Sequence, residues 1–240
     1  MANLLVEIGN TALKAAWCEG TTLGKTFRYQ GEKMAEFVLQ LIEKDHPDIL
    51  TVSSVRLISA EEEQSLKQRC LKLVILDAAH PETLRSYNLP EYLSYDRAAG
   101  LIAARYLFEG KSCCVFDFGT TMTVDFLDRD GRYLGGNISP GCRTRFKALN
   151  RYSRTLPLVN TPEEVQPLGT TLKSSMESGV VLGIKFEIEG YMASNPEAIV
   201  VFTGGDANYL AKKMKNSIFA VSNLVLMGLA KITEDYVRNS

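Results

Sequence analysis

One short pattern occurs twice in this chain, and any fold it adopts must accommodate both copies. Near the N-terminus the apolar run Leu4-Leu5-Val6 ends in Glu7-Ile8-Gly9-Asn10-Thr11, and a second apolar run follows from Ala12 to Trp17. Later, the run Cys113 to Phe116 ends in Asp117-Phe118-Gly119-Thr120-Thr121 and continues as Met122 to Leu127. Glu7 matches Asp117, Gly9 matches Gly119 and Thr11 matches Thr121, all at an offset of 110 residues. Glu19-Gly20 and Leu23-Gly24 match Asp130-Gly131 and Leu134-Gly135 at an offset of 111, one residue being inserted. Apolar runs of strand length separated by Gly, Asn and Asp turns predict three-stranded meanders. Their agreement at fixed spacing predicts two copies of one α/β unit, residues 1–110 and 111–240. Two such hairpins facing each other put two carboxylates and a set of turn amides around one cleft, the parts needed to hold a magnesium–nucleotide triphosphate.

The rest of the chain fits that reading. Strands are expected over 3–7, 12–18 and 22–29, then a helix over 34–42 with Phe37, Val38, Leu41 and Ile42 on one face. A strand over 48–54, a polar helix over 60–70 and a buried strand over 71–76 come next. The Glu61-Glu62-Glu63 run falls in the first turn of the polar helix, where acids suit the helix dipole. Residues 78–94 read as a loop, and Asp96 opens a helix of small apolar residues. The second copy runs through three strands to about Ile138. It is followed by a helix near 143–150, an irregular proline-containing stretch over 151–168 and a long helix over 170–193. A strand over 198–202, a helix over 206–213, a strand near 217–221 and a closing helix over 223–238 complete the chain. Three strands, helix, strand, helix, strand, taken twice, is the α/β architecture of duplicated ribonuclease H-like units of the actin–hexokinase–Hsp70 type, with a nucleotide cleft between them.

Composition narrows the function. With 240 residues, 45% of them hydrophobic, the chain suits two units of about 120 residues. A net charge of −1 points to neither nucleic acid nor an anionic membrane as partner. No apolar run approaches the roughly 20 residues that span a bilayer, and the N-terminus shows no basic start or signal core. The five cysteines form no C-x-x-C, and most lie in apolar runs, which reads as reduced buried thiols in a cytoplasm. Only His46 and His80 are available as imidazoles, a poor basis for zinc or Ser-His-Asp chemistry.

Four places could carry chemistry, and each has a plain alternative. In Glu7–Lys14 the glycine lets phosphate oxygens approach the backbone, Asn10 and Thr11 offer donors, Lys14 offers a cation, and Glu7 could hold magnesium through water; the alternative is an ordinary hairpin turn. Asp117 to Thr120 supplies a second carboxylate at the end of a buried run, where it is costly without a partner such as a bound cation; the alternative is again a turn. Asp125, in the next strand, reads equally as a solvated residue. Thr203-Gly204-Gly205-Asp206 either lets a flat group lie against backbone or is a plain strand-to-helix turn with Asp206 as cap. Asp96-Arg97 is either a helix cap with a surface arginine or a general base beside an anion-binding arginine.

The ordered set of these motifs resembles a known family. It comprises Glu7-Ile-Gly-Asn-Thr-x-x-Lys14, Tyr87 nine residues before Asp96-Arg97, Asp117-Phe-Gly-Thr-Thr-x-Thr-x-Asp125, Gly135-Gly-x-Ile-x-Pro-Gly141, Leu156-Pro157, Thr203-Gly-Gly205 and Asn223 to Gly228. In that order and spacing, across essentially the whole chain, it resembles the type III pantothenate kinases. The resemblance implies ATP-dependent phosphorylation of pantothenate at its primary hydroxyl, the first step towards coenzyme A. It implies a cytoplasmic homodimer requiring magnesium and a monovalent cation, potassium or ammonium. On matching positions it implies that Glu7, Ile8, Gly9, Asn10, Thr11, Ala12, Leu13 and Lys14 bind ATP phosphates and that Thr120 contacts ATP. Asp96 is implied as general base and Asp117 as holder of the monovalent cation. Tyr87, Ser94, Tyr95, Asp96 and Arg97 are implied to line the pantothenate pocket, with a threonine before the long helix, assigned as Thr171.

Three departures accompany the resemblance. The first acid is Glu7 where the family usually has aspartate, Ser94 replaces a glycine, and strict register for the threonine falls on Leu172. Two other functions stay open at this point: another kinase of the same superfamily acting on a different acceptor, and a nucleotide-binding regulator without kinase activity.

Overall fold

Side chains alternate across a strand, and the first strand, β1 (Asn3–Ile8), follows that rule: Leu4, Val6 and Ile8 join one buried cluster while Leu5 joins another. Glu7 falls on the Leu5 side. The computed structural model describes residues 2–239, apart from the side chain of Thr83. After β1 come β2 (Leu13–Glu19), β3 (Thr22–Tyr29), α1 (Met34–Leu41), β4 (Ile49–Ser54), α2 (Ala60–Lys67), β5 (Lys72–Leu76), α3 (Glu82–Arg85) and α4 (Tyr95–Leu107). Then follow β6 (Cys113–Phe118), β7 (Thr121–Leu127), β8 (Tyr133–Pro140), α5 (Cys142–Tyr152), α6 (Leu172–Ser194), β9 (Ile199–Gly204), α7 (Ala207–Ala211), β10 (Phe219–Ala220) and α8 (Leu224–Asn239).

The strands form two five-stranded sheets with one topology. The first has the order β3-β2-β1-β4-β5 and the second, read from its other end, β8-β7-β6-β9-β10. In each the first three strands are antiparallel and the last two run parallel to the first. Each is therefore a ribonuclease H-like sheet, as the repeat predicts. The ends of β1 and β6, where the carboxylates sit, are topologically equivalent.

The chain divides into one unit running to Leu107 and resuming at Asn223, and a second from Phe108 to Ser222. This differs from the expected 110/111 division, because the closing helix does not stay with the second copy. α8 packs on α4, and its Thr233 hydroxyl lies 2.6 Å from that of Thr51 on β4, in a fully buried pair. In this first unit one face of the sheet is covered by α1 and α2 through Val38, Ile42 and Leu66, and the other by α4 and α8 through Ala98, Ala99, Ile102, Val225 and Leu226. The contact between α4 and α8 is close because both are built of small residues there. A Cβ added to Gly228 would lie 1.8 Å from the Ala99 carbonyl oxygen.

In the second unit Cys114, Phe116 and Phe118 of β6 and Met122 and Val124 of β7 meet Phe146 of α5 and Val180, Ile184 and Ile188 of α6. Asp117, Thr123 and Asp125 occupy the opposite face of the same strands. α3 is a single turn inside the expected loop 78–94, too short to show periodicity. The stretch expected to be irregular, 151–168, carries no regular element beyond the end of α5 at Tyr152, and α6 begins at Leu172, two residues later than expected. Among the described residues no helix is long and apolar enough to cross a membrane. All five cysteines are free thiols, and four are buried.

Candidate active site

In the first unit the site is built on the end of β1. Antiparallel pairing sets Lys14 of β2 directly across from Glu7, so the two side chains share a face. Lys14 Nζ lies 3.6 Å from Glu7 Oε2, beyond hydrogen-bond reach, and that oxygen is buried without a hydrogen-bond partner. Burial pushes the Glu7 carboxyl up from its ordinary range, Lys14 pulls it down, and the Asp96 charge pushes it up again. The fold thus pairs Glu7 of β1 with Lys14 of β2 and places Asp96 of α4 where its charge is felt at Glu7. Between β1 and β2 the Gly9 amide donates to the Ala12 carbonyl at 3.0 Å, closing a loop that leaves Asn10 and Thr11 exposed. Ile8 and Leu13 are core residues, so only their backbone is available to a ligand.

Asp96 is the second residue of α4, not its cap. The helical ladder starts one residue earlier than expected, with the Ser94 carbonyl accepting the Ala98 amide at 2.9 Å. Asp96 Oδ1 accepts the Arg97 amide at 2.8 Å, and the carboxylate is half-buried. Arg97 is 9% exposed, which overturns the surface-arginine alternative. A charge is buried only with partners, and the small residues of α4 give it room. Tyr95 is half-buried, and burial followed by the charges of Asp77, Glu82 and Glu91 raises its hydroxyl pKa. Tyr87, in the loop after α3, packs against the same core cluster as Tyr95. Its hydroxyl donates to Asp235 Oδ2 at 3.0 Å; burial first, then the Asp235 charge, raises its pKa.

In the second unit Asp117 holds the equivalent of the Glu7 position, but the residue across from it is Thr123, not a lysine. Asp117 is half-buried. A Cβ added to Gly204, whose φ is +92°, would lie 2.4 Å from Asp117 Oδ1 and 2.5 Å from the Phe118 carbonyl oxygen, so only glycine lets the end of β9 pass this close to the carboxylate. The Gly119 amide donates to the Thr121 carbonyl at 2.9 Å, as Gly9 does to Ala12. The exposed Thr120 turn is clamped from behind: its carbonyl accepts the Gly141 amide at 3.0 Å and the Thr144 hydroxyl at 2.6 Å. Gly141 was legible from the Pro-Gly turn. Thr144 was not, because a hydroxyl in a helix's first turn has no local signature of a distant acceptor.

Asp125 and Asp206 stand differently from the plain alternatives. Asp125 is 3% exposed and accepts the Tyr133 hydroxyl at 3.0 Å, so it is not solvated. Asp206 holds the N-cap position of α7 without a side-chain cap bond, and burial raises its pKa. Thr171 is the N-cap of α6; its hydroxyl accepts the Ser174 amide at 3.2 Å in a reciprocal cap. The buried Asp77 accepts His80 Nδ1 at 2.8 Å, a pairing that the D-x-x-H spacing could have suggested.

The donor set fits a metal carried by a triphosphate. Among the described residues no three His, Cys, Asp or Glu side chains converge as a cage, and magnesium is commonly held by one or two carboxylates, water and phosphate. Glu7 Oε2, buried without a hydrogen bond beside Lys14, is such a carboxylate oxygen.

Comparison with known proteins identifies the family. Residues 3–194 match the family model described as type III pantothenate kinase. A type III pantothenate kinase of Phocaeicola vulgatus is 36% identical over 236 residues, covering 96% of this chain and 97% of that one. Among solved structures, the activator of 2-hydroxyisocaproyl-CoA dehydratase from Clostridium difficile, with bound ADPNP, is 14% identical with a TM-score of 0.59, covering 100% of this chain and 96% of that one. The ROK hexokinase of Thermus thermophilus is 12% identical with a TM-score of 0.56, each chain being covered completely. At these identities the structures show the fold alone.

Proposed function

Since the chain belongs to the type III pantothenate kinase family, we propose that Asp96 is the general base of its reaction, with Glu7 to Lys14 and Thr120 binding ATP. The reaction is ATP-dependent phosphorylation of pantothenate in coenzyme A biosynthesis. The observation that carries the proposal is the end of β1, where the buried Glu7 carboxylate faces Lys14 across the β1–β2 pair and feels the Asp96 charge from α4. Phosphoryl transfer depends on positioning and charge neutralisation more than on covalent chemistry. Asp96 takes the proton of the pantothenate hydroxyl as its oxygen bonds to the γ-phosphorus; the bond to the β–γ bridging oxygen breaks, and ADP leaves. Lys14 and the turn amides of Gly9 to Ala12 offset triphosphate charge. Tyr87 and Ser94 to Arg97 line the acceptor pocket, Arg97 supplying a fixed positive charge. Thr171 is assigned to pantothenate binding, through its backbone or through the hydroxyl that caps α6.

Glu7 would hold magnesium through water, and Asp117 would hold potassium or ammonium. The metal supplies charge neutralisation on the phosphates when bound. Both roles are read in one ADP-release assay. Glu7→Gln should raise the magnesium requirement about tenfold to a hundredfold, the usual cost of losing an outer-sphere carboxylate. In metal-free buffer it should melt no lower than the native protein, because it removes a desolvated charge. Asp117→Asn should abolish the advantage of potassium over sodium. A native magnesium requirement in the first variant, or a retained potassium advantage in the second, would remove that assignment.

The family resemblance also implies a homodimer. Supporting it, the edge strand β8 exposes Leu134 and Ile138, and α6 exposes Phe186; light scattering at the mass of one chain would refute it. The free, mostly buried thiols fit a cytoplasmic setting, to be read by cell fractionation.

A further inference from the structure

Tyr87 is held at both ends. Its carbonyl accepts Arg105 Nη1–H at 2.7 Å, and its hydroxyl donates to Asp235 Oδ2 at 3.0 Å. Arg105 belongs to α4, the helix that carries Asp96 and Arg97 in its first turn, and Asp235 belongs to α8. Asp235 is itself fixed, since Lys231 one turn earlier donates to its other oxygen. Lys231 also lies 3.7 Å from Glu234 and faces the Tyr106 ring. The loop alone would not fix the Tyr87 ring: the next residue, Asn88, turns the chain with φ +51°, and a half-buried tyrosine retains rotamer freedom unless its hydroxyl is anchored.

We propose that Asp235 is a positioning residue of the acceptor site, fixing the Tyr87 ring and consuming its only donor. A phenol has one O–H to give. With that proton committed to Asp235, Tyr87 offers pantothenate only lone pairs. The group it meets is therefore a donor of pantothenate, an amide N–H or a hydroxyl, and not the carboxylate. The closing helix thus reaches the acceptor site without touching substrate, across 148 residues of sequence. This inference rests on the assignment of Tyr87 to the pantothenate pocket.

Steady-state kinetics on the full chain separate the two. Asp235→Ala should raise KM for pantothenate about tenfold, the scale of a hydrogen bond to a charged group, and leave kcat and KM for ATP near native. Asp235→Asn, which keeps an acceptor oxygen, should restore most of the loss. Adding Asp235→Ala to Tyr87→Phe should cost nothing further. If Tyr87→Ala leaves KM for pantothenate unchanged, the pocket assignment is wrong and the inference falls with it. If Tyr87→Ala raises KM and Asp235→Asn and Asp235→Ala both stay native, the pocket assignment stands and the positioning role is overturned. Should Asp235→Ala not fold, the same reading is taken from Tyr87→Phe, whose KM for pantothenate would then have to match that of native protein to overturn the role.

Discussion

Asp96→Asn should lower kcat by about 10²- to 10⁴-fold, the range general-base catalysis contributes, and leave ATP affinity essentially native. Asparagine is the same size and keeps the Oδ1 that accepts the Arg97 amide, so the start of α4 is retained. What is lost is a group able to take a proton from an alcohol. The nucleotide side should if anything relax. Asp96 is one of the charges that hold the Glu7 carboxyl above its usual range, and removing it lowers the Glu7 pKa and favours the ionised form. Calorimetric titration with ATP and measurement of ADP release on one preparation check both halves. A variant with near-native turnover would show that Asp96 is not the base.

The second large effect is structural. Gly228→Ala should destabilise the first unit by about 3 kcal/mol or more, at the upper end of overpacking costs. The added Cβ would sit 1.8 Å from a backbone oxygen and 3.0 Å from the Ala99 Cα, and no rotamer change can relieve a clash with backbone. The helices must separate, and α4 carries Asp96 and Arg97 in its first turn. Since a displacement of about 1 Å can cost 10²-fold in rate, kcat should fall along with the melting temperature. Gly190→Ala is the control. Gly190 is helical and exposed with nothing within 4 Å of an added Cβ, so alanine should stabilise by roughly 0.5–1 kcal/mol through helix propensity. Thermal melts of both variants check the contrast, and a native melt for Gly228→Ala would show that α4 and α8 are not in backbone contact.

The duplication was legible because the turn chemistry of both copies is written in glycines and short polar residues. The residue equivalence within it was not. Identity matching pairs Thr11 with Thr121, yet the sheet pairs Ile8 with Leu13 and Phe118 with Met122. The first loop is one residue longer, and it is Ala12 that plays the part of Thr121, each accepting the preceding glycine amide. Loop closure by hydrogen bond decides the equivalence, and side-chain identity does not report it. The asymmetry that follows is chemical: Glu7 faces Lys14, whereas Asp117 faces Thr123.

Local pattern also revealed α8 as a helix without revealing which sheet it covers. That depends on Gly228 fitting Ala99 and on Thr233 meeting Thr51, contacts between residues more than a hundred positions apart. Arg97 misled for the same reason. An arginine in the first turn of a helix is usually solvated, and only the packing around α4 shows it buried. Where chemistry-bearing residues lie close in sequence, as in Glu7 to Lys14 or Ser94 to Arg97, the candidate site was readable. Where they are supported from afar, as Thr120 is by Thr144 and Tyr87 by Asp235, it was not.

The most direct measurement is ADP release by the purified protein with magnesium-ATP in potassium buffer, with and without pantothenate. Turnover that depends on pantothenate, with one phosphopantothenate formed per ADP, is the expected result. A folded protein that binds ATP but releases ADP no faster when pantothenate is added would contradict the account and point to a different acceptor or to a regulator.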